Sequence, residues 1–512
     1  MFIELDRNRN IPVKKQLYDA ITSKILKGDL AKGEKLPSTR ELAAQLGIAR
    51  NTVIEIYEQL ISEAYLESVN GKGTFACRIK DGLPVDDIFP ERRVARKAEQ
   101  AVKSSRIDFG SGVPDLGAFP RKAWLRALKE SLEYAEDAEL GYKSVFGYQP
   151  LRDSLARYLI KYKGIRCSYR QIVIVNGTSD ALVLLALLFR ESIREVLVES
   201  AVVSFVPDIF TAFGYSLNPV KIDQFGICTE DLPEADRGLI FTSPSHQFPL
   251  GGTLSIERRR QMAEYAKAHQ HYIIEDDYDS EFRYAGAPVN SVYQLAPESV
   301  IHLGTFSKTL APFLRLGYMV LPQNLVARVK KLQTLLYRRV NTHDQMALNY
   351  LLEQDIYVKH VNAMCKRYKR KMQCIVNALH HEFGDEIQIY GANSGLHVAV
   401  AFPEPIFDSK SPAVFSKFEV GAELLTDYMI KKQEACNILI LGFGHLSEKA
   451  IGEGIHRLKA SVDEIKARTD KTTGCTGFNS INNEQILAST SDSMTSFHVD
   501  KNNQGVSKSS PT

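Results

Sequence analysis

From about residue 107 to 468 the chain alternates short β-branched runs, at 171–175, 195–198, 238–241, 271–274 and 300–303, with longer segments of helical periodicity. That alternation restricts the region to an α/β fold around a largely parallel sheet. A chain of 512 residues exceeds one ordinary core, so at least one further folded unit is expected. Residues 1 to about 80 read as that unit: helical patterns, a Gly71-Lys72-Gly73 turn and a β-prone piece at Thr74-Phe75-Ala76. The stretch 81–106 contains proline and the basic residues Arg92, Arg93, Arg96, Lys97, Lys103 and Arg106, and reads as a linker. The stretch 469–512 is rich in Ser, Thr, Asn and Asp and is expected to be a disordered tail.

Charged residues make up 24% of the chain and the net charge is only +3, so any nucleic-acid footprint must be local. The seven cysteines are far apart and in no C-x-x-C spacing, which favours reduced thiols over disulfides or a zinc site. No metal site is expected. The first residues lack a basic-then-apolar signal pattern and no apolar run is long enough to span a bilayer, so the expected location is the cytoplasm.

Gly304-Thr305-Phe306-Ser307-Lys308-Thr309 places one lysine among hydroxyls, with Arg315 following. Upstream, Ile273-Ile274-Glu275-Asp276-Asp277-Tyr278 is a β-branched run that ends in acids. A pyridoxal phosphate site needs an amine to form an aldimine, an acid to keep the pyridine nitrogen protonated, and donors or cations around the phosphate. Lys308 suits the first role and Asp276 the second, while Tyr278 suits a hydrogen bond to the cofactor hydroxyl. Ser307 and the Gly177-Thr178-Ser179 turn, which opens a helix, suit the phosphate. A lone lysine is ordinarily a solvated surface charge; the flanking pattern reverses that reading here.

Ser38 followed by Glu41 is a capping box opening a helix with Leu42, Ala43 and Leu46 inside, and Gly47 closes it. Arg50-Asn51-Thr52 then starts a second helix whose Val53, Ile54, Tyr57 and Leu60 are expected to face inward. Its first turn would project polar and basic groups outward, as a recognition helix does in the major groove. The string from Leu36 to Gly47, with Arg50-Asn51-Thr52-Val53 and Gly71-x-Gly73-Thr74-Phe75, resembles the GntR winged helix-turn-helix. That resemblance implies that Ser38, Thr39, Arg40, Arg50, Asn51 and Thr52 approach double-stranded DNA, with Lys72 on the wing turned toward phosphates. Ala49 departs from it, standing where the family often has a capping Ser.

Residues 107–468 resemble the fold type I aminotransferases through Gly112-Val113-Pro114-Asp115, Gly147-Tyr148-Gln149-Pro150-Leu151-Arg152, the run 243–249, the Asp276 and Lys308 motifs, and the run 391–397. A GntR module in front of such a region resembles the MocR/GabR family of transcriptional regulators. The resemblance implies a pyridoxal phosphate-dependent regulator that senses a small amine or amino acid through Lys308 and dimerises head to tail. It also implies that Arg315 binds phosphate.

Three positions depart from the family pattern. Val203 stands where a tyrosine usually stacks on the pyridine ring, Phe205 where an arginine often clamps a carboxylate, and His445 where a second arginine lies. Neutral histidine is a weak substitute for a bidentate arginine. An active aminotransferase using a 2-oxo acid acceptor is the alternative reading, and a binding module with a decayed cofactor site a third.

Overall fold

The computed structural model describes residues 3, 5, 12–77, 106–141, 144–235, 237–286, 289–336, 340–403 and 407–473. Two compact units divide the chain, Met1–Ser104 and Ser105–Thr512. The linker expected over 81–106 lies, apart from Arg106, outside the described residues.

In the first unit α1 (Val13–Leu26), α2 (Thr39–Leu46) and α3 (Arg50–Ser62) precede an antiparallel hairpin of β1 (Leu66–Val69) and β2 (Gly73–Ala76). The Glu41 N–H donates to Ser38 Oγ at 3.3 Å and the Ser38 N–H donates to Glu41 Oε2 at 2.8 Å, a reciprocal cap for otherwise unpaired helix-start groups. Gly47 ends α2 at φ 61°, a left-handed conformation without penalty for glycine. The inner face of α3 is Val53, Ile56, Tyr57 and Leu60. Ile54 is only half-buried and Ile56 takes the place expected for it, because residues three and four apart share a helix face and adjacent ones do not. The Tyr57 hydroxyl donates to the Pro37 carbonyl at 2.9 Å, tying α3 to the turn before α2. A Lys35–Phe75 bridge fastens the hairpin to the segment entering α2.

The second unit contains β3 (Ile172–Val175), β4 (Glu195–Glu199), β5 (Ser216–Val220), β6 (Leu239–Thr242), β7 (Tyr272–Asp277), β8 (Val300–Thr305) and β9 (Gly317–Val320). They form one sheet in the order β3-β9-β8-β7-β6-β4-β5. Pairing is parallel except at β9, which runs antiparallel to both β8 and β3. Ile172 and Ile174 enter one apolar cluster and Val173 and Val175 another, so the sheet is covered on both faces. Each of the five β-branched runs forms one of these strands. The helix α4 (Thr178–Phe189) follows β3.

A smaller antiparallel sheet joins β10 (Gln388–Tyr390), β11 (His397–Ala401), β12 (Glu423–Leu424) and β13 (Ile438–Gly442) in the order β10-β11-β13-β12. It packs with α5 (Ile356–Phe383) and α6 (Glu448–Thr473). α6 continues to Thr473, past residue 469 where the tail was expected to begin, held by an apolar stripe of Ile451, Ile455, Leu458, Val462 and Ile465. Residues 474–512 lie outside the described residues. No described helix is long and apolar enough to cross a membrane.

Candidate functional site

The carboxyl ends of neighbouring parallel strands open toward one side of an α/β sheet, where ligands are held. β7 ends in Asp276 and Asp277, β8 runs into Ser307 and Lys308, and β3 runs through Gly177 into α4. The Lys308 amine donates to the Gly112 carbonyl at 2.5 Å. Burial lowers its pKa, with Asp279 and Asp276 partly opposing. An amine so placed carries more of the unprotonated, nucleophilic form than one in water. Asp276 is buried, and its carboxyl is pushed up to about 7 by burial first and then by the like charge of Asp277, with Lys308 opposing.

Thr178 Oγ1 donates to Asp276 Oδ1 at 3.5 Å, so the start of α4 meets the end of β7. Arg315, at φ 48°, donates through Nη2 to Ser179 Oγ at 3.3 Å. Gly177 takes φ 91°, a left-handed conformation open to glycine, and this turns the chain from β3 into α4 beside that guanidinium. An arginine at a helix N-terminus, beside hydroxyls and free N–H groups, is a cradle for a dianion. The Ser307 N–H donates to Thr305 Oγ1 at 3.2 Å, which fixes the turn before Lys308. The Tyr278 hydroxyl donates to the His246 carbonyl at 2.8 Å and lies 3.0 Å from His246 Nδ1, so it is engaged by His246.

Sequence reasoning assigned no role to three groups around this centre. Glu199, buried at the end of β4, accepts from Thr242 Oγ1 at 2.7 Å, the Ser243 N–H at 3.1 Å and Gln247 Nε2 at 3.1 Å. Burial pushes it up to about 7, and it pins the loop after β6. His246 Nδ1 lies 3.0 Å from the Asp279 carboxylate, and the His246 ring is 4.7 Å from that of His397. Burial holds His397 well below the usual histidine range while its Nε2 donates to the Pro249 carbonyl at 3.0 Å. The third is the Gly112 carbonyl. His246 and His397 stand in the runs 243–249 and 391–397 and Gly112 in the Gly112-Val113-Pro114-Asp115 string, but none of these strings names a partner.

Val203 and Phe205 are half-buried against the apolar cluster that holds Val202 and Val206, which accounts for both as packing residues. His445 Nε2–H donates to the Asp108 carbonyl at 2.9 Å, leaving Nδ1 buried and without a partner among the described residues.

In the first unit Arg40, Arg50, Asn51 and Lys72 are exposed, Thr39 and Thr52 half-buried, and Ser38 is held in its capping box. Ala49 precedes α3 without a side-chain cap. These residues come from the start of α2, the start of α3 and the hairpin turn.

Residues 13–76 match the family model for bacterial regulatory proteins of the gntR family, and residues 104–436 that for aminotransferases of class I and II. The uncharacterized HTH-type transcriptional regulator YdeL of Bacillus subtilis (strain 168) is 34% identical over 458 residues, covering 89% of this chain and 98% of its own. The probable rhizopine catabolism regulatory protein MocR of Rhizobium meliloti is 30% identical over 473 residues, covering 89% and 95%. The chain belongs to the MocR-type GntR transcriptional regulators. Among solved structures, kynurenine aminotransferase of Pyrococcus horikoshii superposes on this MocR-type chain with TM-score 0.66 at 25% identity, covering 75% of this chain and 95% of its own. The winged-helix unit of a MocR-type regulator binds DNA, and its aminotransferase-like unit takes a small-molecule ligand. Its cofactor is pyridoxal phosphate. The residues present fit that group: a buried amine at Lys308, a buried carboxyl at Asp276 and an Arg315–Ser179 cradle at the start of α4.

Proposed function

We propose that this protein regulates transcription by reading a small amine or amino acid at Lys308 and altering how its winged helices hold an operator. The observation that carries the reading is the buried Lys308 amine, its pKa lowered, facing Asp276 and Asp279 in a chain that also exposes Arg40 and Arg50 on a winged helix. Bound there, pyridoxal phosphate supplies an aldehyde carbon that the Lys308 amine and an incoming amine compete for.

Lys308 would hold the cofactor through its buried amine. Asp276, kept in place by Thr178, would supply the carboxyl that the pyridine nitrogen needs. Arg315, Ser179 and the N–H groups at the start of α4 would hold the phosphate, with help from Ser307. Tyr278, oriented by His246, would meet the cofactor hydroxyl. Arg50, Asn51 and Thr52 enter the major groove, Ser38, Thr39 and Arg40 support that docking, and Lys72 meets a phosphate on the wing. Two copies pair head to tail, which presents two winged helices to the operator.

The absence of arginine at 205 and 445 favours an effector that is not gripped by two guanidinium groups at its carboxylate. The test combines spectra and DNA binding. The purified protein with cofactor should show a visible band lost in Lys308→Ala, and operator affinity should respond to one or more of a panel of amines. Steady amino transfer to a 2-oxo acid, without an effect of amines on DNA binding, would replace this reading with the enzymatic one.

A further inference from the structure

Successive residues of a strand point to opposite faces. Asp276 faces the Thr178 and Lys308 side of β7, so Glu275 and Asp277 face away from it. All three are buried, which sets three carboxyls at consecutive positions in the interior, where like charges resist ionising together.

Glu275 is well supplied. It accepts the Val292 N–H at 2.9 Å and the Tyr293 N–H at 3.1 Å, and Arg259 Nη1 stands 3.9 Å away. His302 of β8, its neighbour in register, places Nδ1 3.3 Å from it. Asp277 depends mainly on one group. Lys163 Nζ donates to Asp277 Oδ2 at 2.8 Å, whereas His302 Nε2 stands back at 3.7 Å. Among the described residues no other lysine and no arginine pairs with Asp277.

An irregular backbone delivers Lys163 to that place. The helix Gln149–Tyr158 runs into a wider π turn, Leu159–Lys163, and the Ile165 N–H then donates to the Leu159 carbonyl at 3.1 Å. Gly164 follows at φ 66°, where a side chain would run into Gln294, whose Nε2 donates to the Lys163 carbonyl at 2.8 Å. Turns of this kind within helices recur at functional sites. The Lys163 side chain is 9% exposed; it also donates to Ser280 Oγ at 3.0 Å and pairs with Glu281 Oε1 at 2.8 Å, with Tyr158 and Tyr318 close by. Desolvating an ammonium is costly, and an apolar side chain would fill the same space without that cost.

We propose that Lys163 is a positioning residue for the cofactor, acting through Asp277: its ammonium balances the carboxylate beside Asp276, so that Asp276 stays ionised and leaves the proton on the pyridine nitrogen. This rests on the reading that Asp276 meets that nitrogen. After burial, the charge of Asp277 is the strongest influence raising the Asp276 carboxyl, with Asp279 and Glu199 adding to it and Lys308 opposing. Ser280 and His302 also favour ionised Asp277, so removing Lys163 leaves a carboxylate whose charge acts unopposed. It acts more on Asp276, the nearer group, than on the ring nitrogen beyond it, and draws the proton to Asp276.

The test is nitrogen-15 NMR, at one neutral pH, of full-length holoprotein carrying pyridoxal phosphate labelled at the ring nitrogen. Free cofactor in acid and in base supplies the protonated and neutral reference positions. Wild type and Lys163→Arg should give the protonated signal, and Lys163→Met should shift it toward the neutral one with the cofactor still bound. Asp277→Asn, which breaks the same ion pair but keeps the ammonium, should retain the protonated signal, and Lys163→Met with Asp277→Asn should regain it. A Lys163→Met signal unmoved from wild type would overturn the proposal. So would loss of the protonated signal in Asp277→Asn, because the pair would then be a structural tie; this outcome decides the matter even where Lys163→Met does not fold. A wild type with the visible band but a neutral ring nitrogen would overturn this proposal alone, whereas a wild type with no band would overturn the cofactor reading with it.

Discussion

The winged-helix unit and the aminotransferase-like unit deploy charge in opposite ways. In the first, Arg40, Arg50 and Lys72 stand exposed, ready for a phosphate backbone whose contacts are made and lost with the ionic atmosphere. In the second, Lys308, Asp276 and Glu199 are enclosed, and burial shifts each toward its neutral form. A surface that must find a long polyanion keeps its cations solvated, whereas one that must run carbonyl chemistry on a small molecule desolvates its groups. The difference teaches that substitutions in the two units should fail in different observables.

The largest expected effect is at Lys308. Lys308→Ala should remove the visible band and the borohydride-stable cofactor adduct entirely, measured by absorbance and mass spectrometry, while the protein still binds DNA. A persistent adduct would place the covalent site on another lysine. Next, Arg50→Ala should weaken operator binding roughly tenfold and lower the slope of log affinity against log salt by about 1 if it contacts a phosphate, leaving the cofactor band untouched. DNA affinity that responds to neither Arg50→Ala nor salt would break the comparison at its exposed end.

A smaller effect concerns pH. The ordinary Asp value is 3.8, and in the folded protein Asp276 is raised to about 7. Between these values the folded state keeps a proton that the unfolded chain releases, so rising pH costs the wild type stability across that window. Asp276→Asn lacks this term. Urea unfolding of the apoprotein should therefore show the Asn variant gaining on the wild type from about pH 4 to about pH 7, and a gap that does not move with pH would contradict the burial assigned to Asp276. The smallest effect is at the cap: Ser38→Ala should destabilise α2 by about 1 kcal/mol, read by hydrogen exchange of its amides, with no change at Lys308.

Local patterns carried much of this structure. The Ser38 to Glu41 spacing specifies its own cap, Gly47 its own left-handed stop, and each β-branched run a strand, because all these contacts lie within a few residues. Lys308 and Asp276 were picked out for a related reason: Asp276 stands at the end of a strand and Lys308 in the turn just after one, and their neighbours in sequence mark both. Ile54 was misplaced because adjacent helix positions differ in facing by about 100°, and its neighbours alone do not say which of Ile54 and Ile56 meets the core. The contacts of Glu199 with the loop after β6, the His246–Asp279 pair and the Gly112–Lys308 hydrogen bond join residues far apart in the chain. No local spacing encodes them. The same holds for Lys163 and Asp277, which only the folded backbone brings together.

The claim that unites the two units is that chemistry at Lys308 changes DNA binding. Its most direct test is operator affinity of the holoprotein, by fluorescence anisotropy across a panel of amines and amino acids, compared between the wild type and Lys308→Ala. At least one compound should shift the wild-type affinity by roughly threefold or more, and the Lys308→Ala protein should not respond to it; a coupling of that size is under 1 kcal/mol. An equal shift in the Lys308→Ala protein, or a wild type indifferent to every compound, would contradict the account.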